Sequence, residues 1–451
     1  MRRLSANAVV IAIIVAFATL GTTRFIRDFN LEDALTVRFK ASFSHPILLG
    51  GTQQTAFIRI DLTGFEIERE SDRTPVNVAF VLDKSGSMGG QKMEQAIEAT
   101  IMAIDHLSKG DVVSLIAYDN RAHVLMPATV VADKAAIRQR IRSLVAGGGT
   151  ALYAGVLQGA SELREFLDPH RVNRVILLSD GQANEGPSTP SELGDLGASL
   201  IREGISVTTI GLGLGYNEDL MTQLALRSDG NHNFVANVEA LATIFNQEFG
   251  DVLSVVAQDV KVTIDCEDGI RPVRVLGREA EIDGQTVTVS LNQLYSEQEK
   301  YVLLEVATEP SESGNEVEIA QVSMTYANMF THDTDEQSAT LSAQITDSEE
   351  VVKENIDKKS MVAAVQQQGI LNEERAIELR DQGRKEEAEQ VLRANAAFYE
   401  SNAELYEDAD LSSGADRSRA AIDNLEGGRW NQQRKAMRSD HYKGKVQQSN
   451  P

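Results

Sequence analysis

The spacing of apolar residues changes twice along this chain, and this change limits the possible folds more than any other feature. In residues 35–62 and again in 260–345, apolar and polar residues alternate, which is the pattern of half-buried antiparallel strands. Between them, in residues 76–250, uninterrupted apolar runs alternate with amphipathic stretches. This rhythm predicts a mostly parallel sheet covered by helices on both faces. We therefore expect an α/β unit between β-rich segments.

The individual elements of the α/β unit follow from the same pattern. Its buried strands are predicted at 76–82, 112–117, 175–178 and 205–210, and its helices at 92–107, 134–144, 151–166 and 192–202. In an open sheet of this kind the ligand site lies at the carboxyl ends of the strands. The β-rich segments on both sides are expected to pair with each other in one sandwich, with the α/β unit inserted between them.

These patterns divide the chain into six segments. They are a signal peptide or signal anchor (1–25), N-terminal strands of the sandwich (31–75), the α/β domain (76–252), the rest of the sandwich (253–346), a helical region (347–426) and a flexible basic tail (427–451). The helical region has a partial resemblance to a tetratricopeptide repeat. Because one partial repeat cannot bury its own apolar face, a packing helical hairpin is the favoured interpretation.

The N-terminus has the pattern of an export segment. Arg2 and Arg3 precede an uncharged stretch at residues 4–23. Residues 16–18 offer a cleavage site, but the stretch is also close to the roughly 20 residues that span a bilayer as a helix. In both cases the body of the chain is expected outside the cytoplasm, either membrane-anchored or released, with membrane contact only through this segment.

Charge and cysteine content restrict the classes of function. The net charge is −24 at pH 7, and nucleic-acid affinity depends mainly on Lys and Arg contacts with phosphate. Nucleic acid is therefore not an expected partner. Cys266 is the single cysteine, so the chain can form no internal disulfide and no thiolate metal cluster.

Oxygen-bearing side chains follow the predicted strands at one edge of the sheet. The candidate metal ligands are Asp83, Ser85, Ser87, Thr150 and Asp180. The first three follow the first buried strand, the fourth follows three glycines at the start of a helix, and the last follows the third strand. Ligand sets made only of oxygen suit Mg²⁺ or Ca²⁺ better than Zn²⁺. Because three of the five are neutral hydroxyls, a cation bound there would stay electrophilic and could accept a partner's carboxylate.

The order D-x-S-x-S, a later Thr after glycines and a strand-ending D-G resembles the metal-ion-dependent adhesion site of von Willebrand factor A domains. The sequence around Thr150 and Asp180 is similar to that of the exported bacterial branch related to inter-alpha-trypsin inhibitor heavy chains. The resemblance as a whole covers roughly residues 35–345. The resemblance implies a Rossmann-like domain surrounded by β-strands. It also implies Mg²⁺, with Ca²⁺ or Mn²⁺ as alternatives, bound directly by the hydroxyls and directly or through water by Asp83 and Asp180. The implied partner is a protein that contributes an Asp or Glu carboxylate.

Two other functions stay open on sequence grounds. One is a structural or assembly role in which the C-terminal helices bind the partner and the α/β domain is a spacer. The other is Mg²⁺-dependent phosphotransfer on Asp83, which is disfavoured because Ser85 stands where aspartyl phosphotransferases have a second acid. The glycines at 211–215 lack the G-x-G-x-x-G spacing and predict a turn. A binding protein, and not an enzyme, is expected.

Overall fold

The computed structural model describes residues 35–66, 73–213, 215–235, 238–310, 312–426 and 429–449. The expected export segment at 1–25 lies outside these ranges. Among the helices that the described ranges contain, none is both long enough and apolar enough to cross a membrane. The described residues from 36 onward belong to one compact unit, in which an α/β domain, a β-sandwich and a helical region are in contact.

The elements are numbered in chain order. The strands are β1 (Val37–Phe43), β2 (Ile47–Leu49), β3 (Gln54–Gly64), β4 (Val76–Asp83), β5 (Val112–Tyr118), β6 (Ala122–Val130), β7 (Val172–Ser179), β8 (Ile205–Leu212), β9 (His232–Val235), β10 (Val255–Cys266), β11 (Ile270–Leu276), β12 (Glu281–Asp283), β13 (Thr286–Tyr295), β14 (Glu299–Thr308), β15 (Glu316–Asn328), β16 (Thr334–Thr346) and β17 (Gln448–Ser449). The helices are α1 (Gln91–His106), α2 (Lys134–Arg142), α3 (Leu152–Arg164), α4 (Pro190–Ile201), α5 (Glu218–Arg227), α6 (Leu241–Leu253), α7 (Glu349–Glu354), α8 (Lys358–Asp381), α9 (Lys385–Tyr406), α10 (Ala409–Asp423) and α11 (Trp430–Lys445).

A six-stranded sheet forms the centre of the α/β domain. Its order is β6-β5-β4-β7-β8-β9, and all neighbours are parallel except β6, which is antiparallel to β5. Every residue of β4, β5, β7 and β8 is buried, as uninterrupted apolar runs predict. β6 lies at the edge of the sheet and has no fully buried residue, and its apolar run at 124–126 is short and followed by Pro127.

Helices cover both faces of this sheet. α1, α2 and α6 pack on one face, where Phe249 stacks on Phe80 with ring centroids 5.8 Å apart. α3, α4 and α5 pack on the other face. Local sequence sets the start of α4, where Thr189 and Glu192 form a reciprocal capping box. The expected Rossmann-like α/β fold is confirmed.

The strands before and after the α/β domain join in one β-sandwich. One sheet has the order β1-β3-β14-β11 with β17 beside β14, and the other has the order β12-β13-β10-β15-β16-β2. β3 pairs with β14 along its length, from Gln54 opposite Thr308 to Thr63 opposite Glu299, and β2 pairs in parallel with β16. Apolar side chains from both sheets share a single core. The α/β domain is thus inserted between β3 and β10 of the sandwich.

The C-terminal helices pack on one another and on the rest of the protein. α8, α9 and α10 share a core that includes Ala376, Leu392 and Ala421. α8 also lies on the sandwich, where Ala363 and Leu303 belong to one apolar cluster. These contacts match the packing interpretation of the helical region.

The expectation of a flexible tail at 427–451 is wrong for the part that the structure describes, because residues 430–445 form α11. Trp430 and Met437 join the core of α8 to α10, and Tyr442 packs against Ala225 of α5. The basic side chains on this helix have distant acidic partners: Arg434 pairs with Glu218, Asp219 and Asp381, Lys435 with Glu218, and Arg438 with Asp219 and Glu374. A local run of charge indicates a solvated tail only when no such partners lie elsewhere in the fold.

Gly230 supports a close approach between backbone segments in the α/β domain. A Cβ at this position would overlap the carbonyl oxygen of Val207 on β8 and lie 2.5 Å from its carbonyl carbon. We expect Gly230→Ala to lower the free energy of unfolding by about 2–3 kcal/mol, because backbone atoms cannot move aside as a side chain can. Urea denaturation measures this loss.

Gly250 on α6 is the matched control for that prediction. A Cβ there would meet nothing within 4 Å. Gly250→Ala should therefore be neutral or stabilise by up to about 1 kcal/mol, as Ala does in a helix. Equal effects of the two substitutions would contradict the steric argument.

Candidate functional site

Three loops meet at the carboxyl edge of the central sheet. The first follows Asp83, the last residue of β4, and contains Ser85 and Ser87; the second leads into α3 and contains Thr150; the third follows β7 and begins with Asp180. β4 and β7 are neighbouring parallel strands, so their carboxyl ends lie side by side. The topology therefore brings all five predicted residues to one place.

Hydrogen bonds show how closely these side chains approach. Ser85 Oγ and Ser87 Oγ lie 3.1 Å apart, and Ser87 Oγ donates to Asp180 Oδ1 at 2.7 Å. The Thr150 hydroxyl lies beside them, since a Cβ on Gly181 would come 3.3 Å from Thr150 Oγ1 and 3.5 Å from Ser87 Oγ. The three hydroxyls and one carboxylate are therefore close neighbours.

Asp83 lies deeper and holds the first loop in shape. Its Oδ1 accepts from the Ser85 backbone N–H at 2.8 Å, and its Oδ2 accepts from Ser179 Oγ at 2.7 Å. Burial raises the pKa of Asp83, its hydrogen bonds with Ser179 and Ser85 oppose this, and the nearby charge of Asp180 raises it further. The site thus contains two carboxylates that repel each other, which a bound cation would stabilise.

The candidate ligands are enclosed except at one point. Asp83, Ser85, Thr150 and Asp180 are each at most 4% exposed, whereas Ser87 is exposed. A ligand from outside would therefore reach the space beside Ser87. Such a shape suits an ion held by the protein that still offers one coordination position to a partner.

The glycine loop before Thr150 is held by residues to which the sequence pattern assigns no function. Asn184 Oδ1 accepts from Thr150 N at 2.8 Å, and Asn120 accepts from Gly149 N. Gly148 has a φ of 92°, and a Cβ there would come 2.8 Å from Asn120 Oδ1. Both asparagines hold the backbone that presents the Thr150 hydroxyl, a role visible only once distant loops are brought together.

The turn predicted at 211–215 is seen in part: Gly211 still belongs to β8, and Gly213 lies in a turn with a φ of 69°. It also lies against the site, because a Cβ on Gly215 would come 3.2 Å from the carbonyl oxygen of Asp180. Small residues here allow this loop to approach the third loop of the site.

The donor set fits a hard divalent cation. It consists of two carboxylates and three hydroxyls, and oxygen ligands of this kind are preferred by Mg²⁺, Ca²⁺ and Mn²⁺. Across the described ranges, no group of three or more His, Cys, Asp or Glu residues is arranged to hold a metal. A soft-metal centre of Cys and His is therefore absent from that part of the chain.

Comparison with known proteins identifies the α/β domain. Residues 77–247 match the von Willebrand factor type A domain family, whose members are commonly metal-dependent protein-interaction modules. An uncharacterized protein of Synechocystis sp. is 29% identical over 264 residues, which cover 56% of this chain and 62% of that protein. Inter-alpha-trypsin inhibitor heavy chain H3 of Pongo abelii is 30% identical over 172 residues, covering 36% of this chain and 19% of its own length. The chain thus spans less than two thirds of these relatives.

Solved structures share the fold well beyond the family domain. A von Willebrand factor type A protein from Catenulispora acidiphila is 19% identical, with a TM-score of 0.68 over 86% of this chain and 88% of its own. The ArnB paralog VWA2 from Sulfolobus acidocaldarius is 16% identical, with a TM-score of 0.64 over 92% of this chain and 100% of its own. At these identities the likeness concerns the fold, including much of what surrounds the α/β domain.

Proposed function

Because residues 77–247 form a von Willebrand factor type A domain, we propose that this chain binds a partner protein through a divalent cation held at the carboxyl edge of its central sheet. The observation that supports this most strongly is the convergence of all five candidate ligands at one edge of the sheet, where Ser87 alone of the five is exposed. Mg²⁺ is the proposed ion, with Ca²⁺ and Mn²⁺ as alternatives. The proposed role is binding, without a chemical reaction.

The proposed partner contributes an Asp or Glu carboxylate to the cation. Only two of the five candidate ligands carry a charge, so a bound divalent ion would keep electrophilic character. Octahedral Mg²⁺ takes about six oxygen ligands, and a set of five leaves room for one from outside. A carboxylate is the side-chain group of a protein that best fills such a position.

We place this binding outside the cytoplasm. The support is the sequence of residues 1–25, where two arginines precede a long uncharged stretch. A fusion of residues 1–25 to the N-terminus of alkaline phosphatase should be active in a bacterial host if the segment directs export.

Cation binding by the full chain tests the proposal directly. Titration calorimetry of the metal-free protein with MgCl₂, MnCl₂ and CaCl₂ should show one site for at least one of these ions. Asp83→Ala should abolish that binding, and Ser87→Ala should weaken it by about tenfold or more, because each loses a ligand or its orienting group. Capture of a partner from envelope extract should then disappear with EDTA and with Asp83→Ala.

Asp119→Asn is the matched control for these variants. Asp119 lies at the same edge of the sheet, but its carboxylate pairs with Lys84 and His123 and not with the five candidate ligands. The control should bind the cation like wild type. Failure of the wild-type chain to bind any of the three ions at millimolar concentration, or unchanged binding by Asp83→Ala, would refute the proposal.

The C-terminal helices were the competing candidate for partner binding. Truncation after Ile345 would test that role poorly, because α8 covers the sandwich and α11 packs on the α/β domain. Exposure of both cores would lower stability whether or not these helices bind a partner.

A further inference from the structure

One cationic side chain enters the candidate metal site from the first turn of a helix. Lys92, the second residue of α1, makes an ion pair with Asp180 Oδ2, and its Nζ lies 3.4 Å from the carbonyl oxygen of Ser87. The side chain of Asp180 is 0% exposed and that of Lys92 is 35% exposed. A surface lysine therefore reaches into the site and contacts a fully buried carboxylate.

The position of Lys92 in the helix is unfavourable unless it has such a partner. The N-terminal turn of a helix carries partial positive charge, so a cation there is destabilised by the helix dipole. Asp180 offsets this cost. The benefit is mutual, because a buried carboxylate without a positive partner is strongly destabilising.

No other described side chain supplies positive charge to the two carboxylates of the site. Among the ion pairs in the described ranges, Asp180 has Lys92 alone and Asp83 has none. Lys84 lies in the same loop as Asp83, yet its ammonium group pairs with Asp119. The charge balance of the site without metal therefore depends on Lys92.

We propose that Lys92 is a resident counter-ion of the site, which neutralises Asp180 when no metal is bound and which the divalent cation must displace. This inference rests on the proposed function, since it assumes that a cation binds beside Asp180. A cation in contact with Asp180 and Ser87 would occupy the space next to the Lys92 ammonium, and the two positive charges would repel. Lys92 can withdraw, because a third of its side chain already faces solvent.

Two consequences follow for the protein. The site stays folded without metal, because Asp180 always has a positive partner. Cation affinity is lower than the five ligands alone would provide, because binding first breaks the contact between Lys92 and Asp180. Occupancy then responds to the ambient concentration of the ion.

Calorimetric titration of Lys92→Gln with MgCl₂ tests the competition. The variant should bind the ion about tenfold more tightly than wild type, since the competing charge is lost while a polar side chain only one atom shorter remains. Lys84→Gln is the matched control, because it removes the same charge from the same edge without touching Asp180. It should change the dissociation constant by less than about twofold, because the Lys84 ammonium group pairs with Asp119 and not with a candidate ligand.

Thermal unfolding in EDTA supplies a readout that needs no metal. Lys92→Gln should unfold several degrees below wild type in EDTA, and saturating MgCl₂ should remove this deficit. Wild type that binds no cation would refute the proposed function. If wild type binds the cation as tightly as Lys92→Gln does, or if the two proteins unfold at the same temperature in EDTA, the role of Lys92 is refuted and the proposed function is not.

Discussion

Arg174→Met should lower the free energy of unfolding by about 3–5 kcal/mol, because it leaves a buried glutamate without its cationic partner. Arg174 lies on β7 and is 0% exposed, and its Nη1 donates to Glu248 Oε1 on α6 at 2.8 Å. The other end of the guanidinium contacts Gln293 on β13 of the sandwich. One side chain thus joins the sheet, a covering helix and the second domain. Urea denaturation followed by circular dichroism measures the loss.

Two further variants separate burial of the charge from the size of the side chain. The double variant Arg174→Met, Glu248→Leu removes both charges and should recover a large part of the lost stability, since an apolar pair can replace a buried ion pair. Arg384→Met removes an exposed arginine that pairs with Glu387 and should change stability by less than about 0.5 kcal/mol. A loss in Arg174→Met no greater than in Arg384→Met would contradict the structural role of the buried pair.

Tyr442→Ala should cost about 3–5 kcal/mol, because it removes a large side chain from the contact between α11 and the α/β domain. Tyr442 is 5% exposed and donates a hydrogen bond from its hydroxyl to the Gly230 carbonyl. Its ring lies edge-on to His232, with centroids 5.6 Å apart. The predicted loss therefore comes from a residue that the sequence pattern assigned to a flexible tail. Differential scanning calorimetry of the full chain measures it.

Tyr442→Phe and Leu405→Ala complete this experiment. Tyr442→Phe keeps the ring and should lose about 1 kcal/mol, the usual contribution of one hydrogen bond. Leu405→Ala, at a position that is 65% exposed, should be close to neutral. An unfolding temperature of Tyr442→Ala equal to that of wild type would mean that α11 does not stabilise the α/β domain.

Much of the fold was predictable because strand burial leaves a local trace in the sequence. β4, β5, β7 and β8 are buried on both faces and therefore appear as apolar runs. β6 was missed because its apolar run at 124–126 is short and followed by Pro127, and none of its residues is fully buried. α11 was misjudged because its apolar residues are sparse and its basic residues have partners such as Glu218, which is 216 positions from Arg434.

The residues of the candidate site also differ in whether a local sequence pattern predicts them. Asp83, Ser85 and Ser87 form a compact motif at a strand end, and Thr150 and Asp180 follow recognisable local signals, so all five can be selected from the sequence as candidates. Lys92 and Asn184 cannot, since each acts through a contact between loops that lie far apart in the chain. A lysine in the first turn of a helix is the one local sign that could have pointed to Lys92.

Sequence alone predicts the alternation of strands and helices, the insertion of the α/β domain between strands of a sandwich, and five candidate oxygen ligands. Burial and short motifs leave a periodic or local pattern, which is why these features can be read from the chain. Three further features appear only in the folded protein: the basic C-terminal segment packs as a helix, two asparagines hold the Thr150 loop, and Lys92 reaches Asp180. These features depend on charges and hydrogen-bonding groups that meet only after folding, because their partners are distant in the sequence.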